Sequence, residues 1–160
     1  MSYRIGLGTD FHQLVTGRKL WVGGVEIPHN KGSLGHSDGD VLLHAICDAL
    51  LGALSLGDIG FHFPDSDNEL KDIESRILLV RTFQLIQKKG FGIVNLDTVI
   101  CLEKPKIMKY APEMRTIISD LLSINADDIS IKATTTEKLG FIGREEGIMA
   151  QAIVLLKKVD

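Results

Sequence analysis

The chain has 160 residues, 44% hydrophobic and 24% charged, a globular composition with enough apolar material for one core at an ordinary domain size. A formal net charge of −3 with scattered Lys and Arg excludes the clustered positive surface that a nucleic-acid backbone requires. The most apolar stretch, Val41 to Leu56, is broken by His44, Asp48, Gly52 and Ser55 and is too short to span a bilayer, so no membrane partner is expected.

The first residues lack the basic and apolar regions of a signal peptide. Two cysteines, Cys47 and Cys101, are too few for a disulfide scaffold and read as reduced thiols. A cytoplasmic protein is expected, the alternative being a plastid form with its transit peptide removed.

Tyr3 to His12 reads as a strand ending in polar residues. Leu20 to Ile27 is two short apolar runs around Gly23-Gly24, a hairpin signal, and Pro28 to Gly35 reads as a loop. Ser37 sits where an N-cap would, with Asp38 and Asp40 in the first turn of a helix running to about Leu54. Gly57 to Asp67 is loop sequence, long enough to suggest function.

A second helix is expected over Asp72 to Lys89, with Gly90 just past its end. Ile93 to Leu102 is β-branched and reads as a strand halted by Pro105. A third helix covers Ala111 to Ile124, with Met114, Ile117, Ile118, Leu121 and Leu122 on one stripe. Ile129, Ile131 and Ala133 alternate as a strand does. Gly147 to Val159 fits either period, and Ile153-Val154 favours a strand. This order predicts a single α+β domain over 1–160, a mixed sheet with helices packed on one face.

Three groups of residues can carry chemistry. Asp10 and His12, two apart at a strand end, leave the same face. His44 lies on the first helix, with Asp40 and Asp48 at i−4 and i+4. Asp, His and His form a permitted zinc set with an open fourth position, and a flanking Asp could orient the imidazole. Each residue alone reads more simply as a satisfied structural polar group.

His36-Ser37-Asp38-Gly39-Asp40 is a helix cap at its plainest; its free N–H groups also suit a phosphate, provided a metal offsets the two acids. Thr134 to Arg144 gathers three hydroxyls, Glu137 and two cations, which suit a phosphorylated ligand with a hard cation on Glu137. Without context that segment reads as a surface loop.

Taken together, five blocks resemble the 2-C-methyl-D-erythritol 2,4-cyclodiphosphate synthases of the non-mevalonate isoprenoid pathway. They are Gly8-Thr-Asp10-Phe-His12, His36-Ser-Asp-Gly-Asp-Val-Leu-Leu-His44-Ala45, Gly57-Asp-Ile-Gly60, Phe63-Pro-Asp-Ser-Asp67 and Lys132-Ala-Thr-Thr-Thr-Glu-Lys-Leu-Gly-Phe-Ile-Gly-Arg144. The resemblance covers nearly the whole chain.

It implies a homotrimer with active sites between neighbours, cyclising a cytidine diphosphate substrate by intramolecular phosphoryl transfer with release of CMP. Asp10, His12 and His44 would hold Zn2+, and Glu137 a Mg2+ or Mn2+ bridging the diphosphate. His36 and Thr135 would stabilise the transition state. Asp58, Ile59, Gly60, Phe63, Pro64, Asp65, Ser66 and Asp67 would hold the methylerythritol part and its 2-phosphate. Leu102, Glu103, Lys104, Pro105, Lys106, Ile107 and Met108 would bind the cytidine diphosphate part, with Thr134, Thr135, Thr136 and Glu137 from the adjoining subunit. Phe11, Ser37, Phe141 and Arg144 complete the implied substrate contacts, alongside Asp10, His12 and His36.

Gln151 stands where family members often carry an acid partnering the Arg144 position, and Thr9 replaces an apolar residue seen in some relatives. The rival readings are a zinc-dependent phosphohydrolase using Asp58 or Asp65 as base, and a non-catalytic trimer that binds a nucleotide or an isoprenoid diphosphate.

Overall fold

In β1 (Tyr3–Thr16) the side chains alternate between a face crossed by a helix and a face without one. Gly6, Gly8, Asp10 and His12 lie on the first; Ile5, Leu7, Thr9 and Phe11 lie on the second. The glycines let α1 (Val41–Ala53) approach closely: a Cβ at Gly6 would stand 1.9 Å from the Ala49 carbonyl oxygen, and one at Gly8 2.0 Å from that of Ala45. Eleven of the 13 residues of α1 are buried, so it is apolar nearly all round rather than on one stripe.

A computed structural model describes residues 2–64 and 66–159. Beyond β1 and α1 the chain forms β2 (Leu20–Val22), β3 (Val25–Ile27), β4 (Lys31–Ser33), α2 (Ile59–His62) and α3 (Ser75–Lys88). β5 (Phe91–Cys101), α4 (Ala111–Leu122), β6 (Ile129–Thr134), α5 (Gly140–Gly143) and β7 (Gly147–Lys158) follow. The main sheet runs β4-β1-β7-β5-β6, antiparallel except for the parallel β5–β6 pair, and β2–β3 stand apart as a hairpin. This is the expected α+β architecture with a mixed sheet. The core lies between the helix-covered face of the sheet and α1, α3 and α4, and includes Leu50, Leu79, Ile100, Met114 and Val154.

The opposite face leaves Ile5 at 72% and Leu7 at 62% exposed, with Phe11 and Ile153 beside them. Among the described residues no helix is long and apolar enough to cross a membrane. Cys47 is buried and Cys101 half-buried, both as free thiols, and burial pushes the Cys47 thiol up to about 12.

Several boundaries differ from the sequence reading. β1 runs on to Thr16 because its end pairs with β4, in a stretch read as loop. The N-cap of α1 is Asp40, not Ser37. The Asp40 carboxylate accepts from Leu43 N–H at 3.1 Å and from the hairpin amides of Gly23 at 2.9 Å and Gly24 at 2.6 Å. Those two glycines turn at φ 61° and 79°, and the turn directs its buried N–H groups at the Asp40 carboxylate. α3 begins at Ser75, three residues later than expected, and the Gly57–Asp67 loop contains the short helix α2, capped by Asp58.

Candidate active site

The β1 register sets Asp10 opposite Ala150 and His12 opposite Ile148, with both side chains on the α1 side. His44, one turn into α1, meets them there. Asp10 Oδ2 lies 2.9 Å from His12 Nε2 and 3.2 Å from His44 Nδ1, and the two ring nitrogens are 3.2 Å apart. Three potential ligand atoms therefore lie within 4.8 Å of one another. Burial opposes charge on Asp10, yet its hydrogen bonds and attraction to His12 and His44 hold the carboxyl down to about 2. Burial likewise disfavours protonated His12, but the bond to Asp10 wins and raises its pKa above the ordinary value.

The outward-facing nitrogens are also occupied. His12 Nδ1 donates to the Leu34 carbonyl at 2.8 Å. His44 Nε2 faces Ser75 Oγ at 2.8 Å and Ser37 Oγ at 3.2 Å. The carboxylates of Asp40 and Asp48, expected to flank His44, bond elsewhere, although the His44 N–H donates to the Asp40 carbonyl at 3.0 Å. Asp40 is committed to its cap, and Asp48 accepts from Ile59 N–H at 2.7 Å, tying α2 to α1. Burial raises the pKa of both acids despite those amide bonds.

One carboxylate oxygen and two imidazole nitrogens, with each ring fixed from behind and one side open to a cleft, match the donor set of a catalytic zinc site. The cleft, about 680 Å³ including its open mouth, is lined by His12, His36, Ser37, His44, Ile59, Phe63, Pro64 and Asp67 among others. Asp58 caps α2 through a 2.9 Å bond from Phe61 N–H, and Gly60 and Ser66 are exposed on the same loop. Asp65, expected in this group, lies outside the described residues.

A second cleft of about 480 Å³ is lined by Leu102, Pro105, Lys106, Ile107, Met108, Thr134 and Thr135 with Ala133. It shares no lining residue with the first: His36 lines the first cleft and Thr135 the second. Glu137, exposed and at φ 52°, accepts from the Thr135 hydroxyl at 3.4 Å. Thr136 donates its hydroxyl to the Leu139 carbonyl. Lys104 pairs with Glu145 at 3.0 Å, and Glu103 carries a buried carboxylate oxygen without a hydrogen-bond partner.

Phe11, Phe141 and Arg144, expected to touch substrate, line neither of these two clefts. Phe11 points to the sheet face opposite Asp10 and His12 and packs on Phe141, ring centroids 6.1 Å apart, because adjacent strand residues face opposite ways. Arg144 makes a two-pronged ion pair with Glu146, the acid absent at Gln151 being supplied from within its own loop, and Gln151 instead donates weakly to Thr9. Conversely, Lys71, Leu70 and Ile73 line the first cleft without having been singled out in the sequence. Ser75 was missed as well; its only local signal was a hydroxyl at a helix start, which reads as an ordinary cap.

With this geometry in place, the sequence matches the YgbB family over residues 3–157. It is 58% identical over 159 residues to the 2-C-methyl-D-erythritol 2,4-cyclodiphosphate synthase of Bacteroides fragilis, covering 99% of this chain and 100% of that one. The fold is similar to that of the bifunctional IspDF from Campylobacter jejuni, with a TM-score of 0.95 and 40% identity, covering 99% of this chain and 43% of that one. It is also similar to a CDP complex of IspF from Plasmodium falciparum, with a TM-score of 0.88 and 38% identity over 99% of this chain and 98% of that one.

Proposed function

As the chain belongs to the YgbB family, we propose that it converts 4-diphosphocytidyl-2-C-methyl-D-erythritol 2-phosphate to 2-C-methyl-D-erythritol 2,4-cyclodiphosphate with release of CMP, in isoprenoid precursor synthesis. The observation that carries the reading is the convergence of Asp10, His12 and His44 at the wall of a cleft that also presents His36 and Ser37. In this reaction an oxygen of the 2-phosphate bonds to the β-phosphorus while the bond from that phosphorus to the bridging oxygen breaks. CMP leaves with the bridging oxygen. The attacking oxygen is already anionic, so no base is required, and the work is charge neutralisation and alignment.

Asp10 Oδ2, His12 Nε2 and His44 Nδ1 would hold Zn2+, and the Glu137 carboxylate would hold a Mg2+ or Mn2+. When bound, these ions supply positive charge to the phosphate oxygens as negative charge moves towards the leaving group. His36 offers a ring N–H to the phosphates from the first cleft, and Thr135 a hydroxyl from the second. Ile59, Phe63 and Pro64 give the sugar an apolar wall, and the loop from Gly57 to Asp67 folds the substrate back on itself. Leu102 to Met108 form the cytidine end.

Because the two clefts share no residue, the reading includes a homotrimer in which one subunit's zinc cleft meets its neighbour's Thr134–Glu137 segment. The exposed apolar face of Ile5, Leu7, Phe11 and Ile153 supports association of copies through the open side of the sheet. A cytoplasmic setting fits a phosphorylated small-molecule substrate. The test is CMP release from that substrate before and after chelation. Loss of release on chelation, with recovery on adding zinc, is the expected result. CMP release indifferent to chelation would overturn the reading.

A further inference from the structure

A half-buried carboxylate, that of Asp38, stands one hydroxyl away from the imidazole of His44. The Ser75 hydroxyl, fully buried, is hydrogen-bonded to Asp38 Oδ1 and lies 2.8 Å from His44 Nε2. Asp38 Oδ2 accepts from Ser75 N–H at 3.0 Å, which fixes the serine backbone and supplies the cap that Glu74, the N-cap residue of α3, does not. A carboxylate can only accept, so the Ser75 proton goes to Asp38 and the serine lone pairs face His44.

His44 Nε2 must then carry a proton and donate it, and Nδ1 is left bare. That bare nitrogen faces Asp10 Oδ2, a second acceptor, at 3.2 Å. Two acceptors this close are held together by a proton on Nδ1 of the charged ring or, in the neutral ring, by a metal cation. Ser37 Oγ, which accepts from Gly39 N–H at 3.1 Å, lies on the same side of His44, 3.2 Å from Nε2 and farther than Ser75.

We infer that Ser75 and Asp38 are positioning residues that lock His44 in the Nε2–H tautomer, so that Nδ1 is permanently available to a divalent cation. The inference rests on the metal reading above and deepens it. Neither residue needs to touch substrate. Replacing Asp38 by Asn puts an amide N–H beside Ser75, reverses the chain of donors and drives the proton on to His44 Nδ1, where it blocks the ligand position. Replacing Ser75 by Ala removes the acceptor and leaves His44 free to turn or change tautomer.

The test uses the full chain and zinc alone, in competition with a chelating dye, together with long-range proton–nitrogen NMR of the zinc-free proteins at alkaline pH. The wild type should report His44 as the Nε2–H tautomer. Ser75→Ala and Asp38→Asn should lose that single tautomer and bind zinc about 10–100-fold more weakly, while far-UV circular dichroism keeps the fold. Zinc affinity within twofold of wild type in both variants, or weaker binding with the tautomer unchanged, would overturn the inference and leave the metal reading standing. A wild-type chain that retains no zinc would overturn the metal reading itself. Should Ser75→Ala not fold, Asp38→Asn decides alone, since it retains an acceptor for the amide of Ser75.

Discussion

Asp10 and His12 hold each other's protonation states apart, and the metal-free protein should register this in its stability. The folded pKa of Asp10, about 2, lies below its ordinary 3.8, so its contribution is present above 3.8 and is lost as pH falls through 2. His12 is raised above 6.5, so its contribution is complete below 6.5 and disappears as pH rises through the folded value. Urea unfolding of chelated protein should therefore show stability falling on the alkaline side of 6.5, and Asp10→Asn should abolish that fall. An unchanged alkaline slope in the variant would contradict the pairing. His44→Ala should lose zinc and slow CMP formation about a thousandfold, equivalent to about 4 kcal/mol, with the fold retained. Full activity in that variant would remove His44 from the site.

At this scale the sequence made the Asp10, His12 and His44 cluster legible through two periods. Period two set Asp10 and His12 on one face, and the helix carried His44. It did not reveal which acid serves His44. Helical spacing pointed to Asp40 and Asp48, but Asp40 is drawn to the Gly23-Gly24 turn and Asp48 to the start of α2. The residues that do reach His44 include Ser75, 31 positions away, a contact that exists only once α3 packs on α1.

Among the elements, α1 is the one that positions the site, and two devices hold it. Asp40 bonds three buried N–H groups, so Asp40→Ala should cost roughly 3 kcal/mol or more, read from the urea midpoint. A change below about 1 kcal/mol would show that water replaces the carboxylate. Gly8 lets α1 lie against β1, and Gly8→Ala should push the helix outward, costing about 3 kcal/mol and weakening zinc binding together. Stability lost with zinc affinity intact would separate the helix position from the site. The helices and long strands were readable from periodicity, whereas β4 was not. Lys31-Gly-Ser33 has no strand signal, and only the far end of β1 makes it one.

Across the whole molecule, His36 and Thr135 line separate clefts, and under the proposed function each site joins halves from two chains. Mixing inactive His44→Ala with inactive Glu137→Ala subunits should restore part of the activity, because some hybrid sites take both intact halves from different chains. Continued inactivity after subunit exchange would put both halves in the same chain. An Ile5→Glu change on the open sheet face should lower the mass seen in light scattering and lower activity with it. The fold class followed from the order of elements. Contacts between copies were not legible, because neither period nor motif spacing encodes them.

The most direct measurement is a phosphorus NMR time course with the protein, zinc, magnesium and 4-diphosphocytidyl-2-C-methyl-D-erythritol 2-phosphate. The account predicts CMP and the cyclic diphosphate appearing in equal amounts, with neither formed in a chelated control. Inorganic phosphate in place of the cyclic product, or an unchanged substrate spectrum under zinc-loaded conditions, would contradict it.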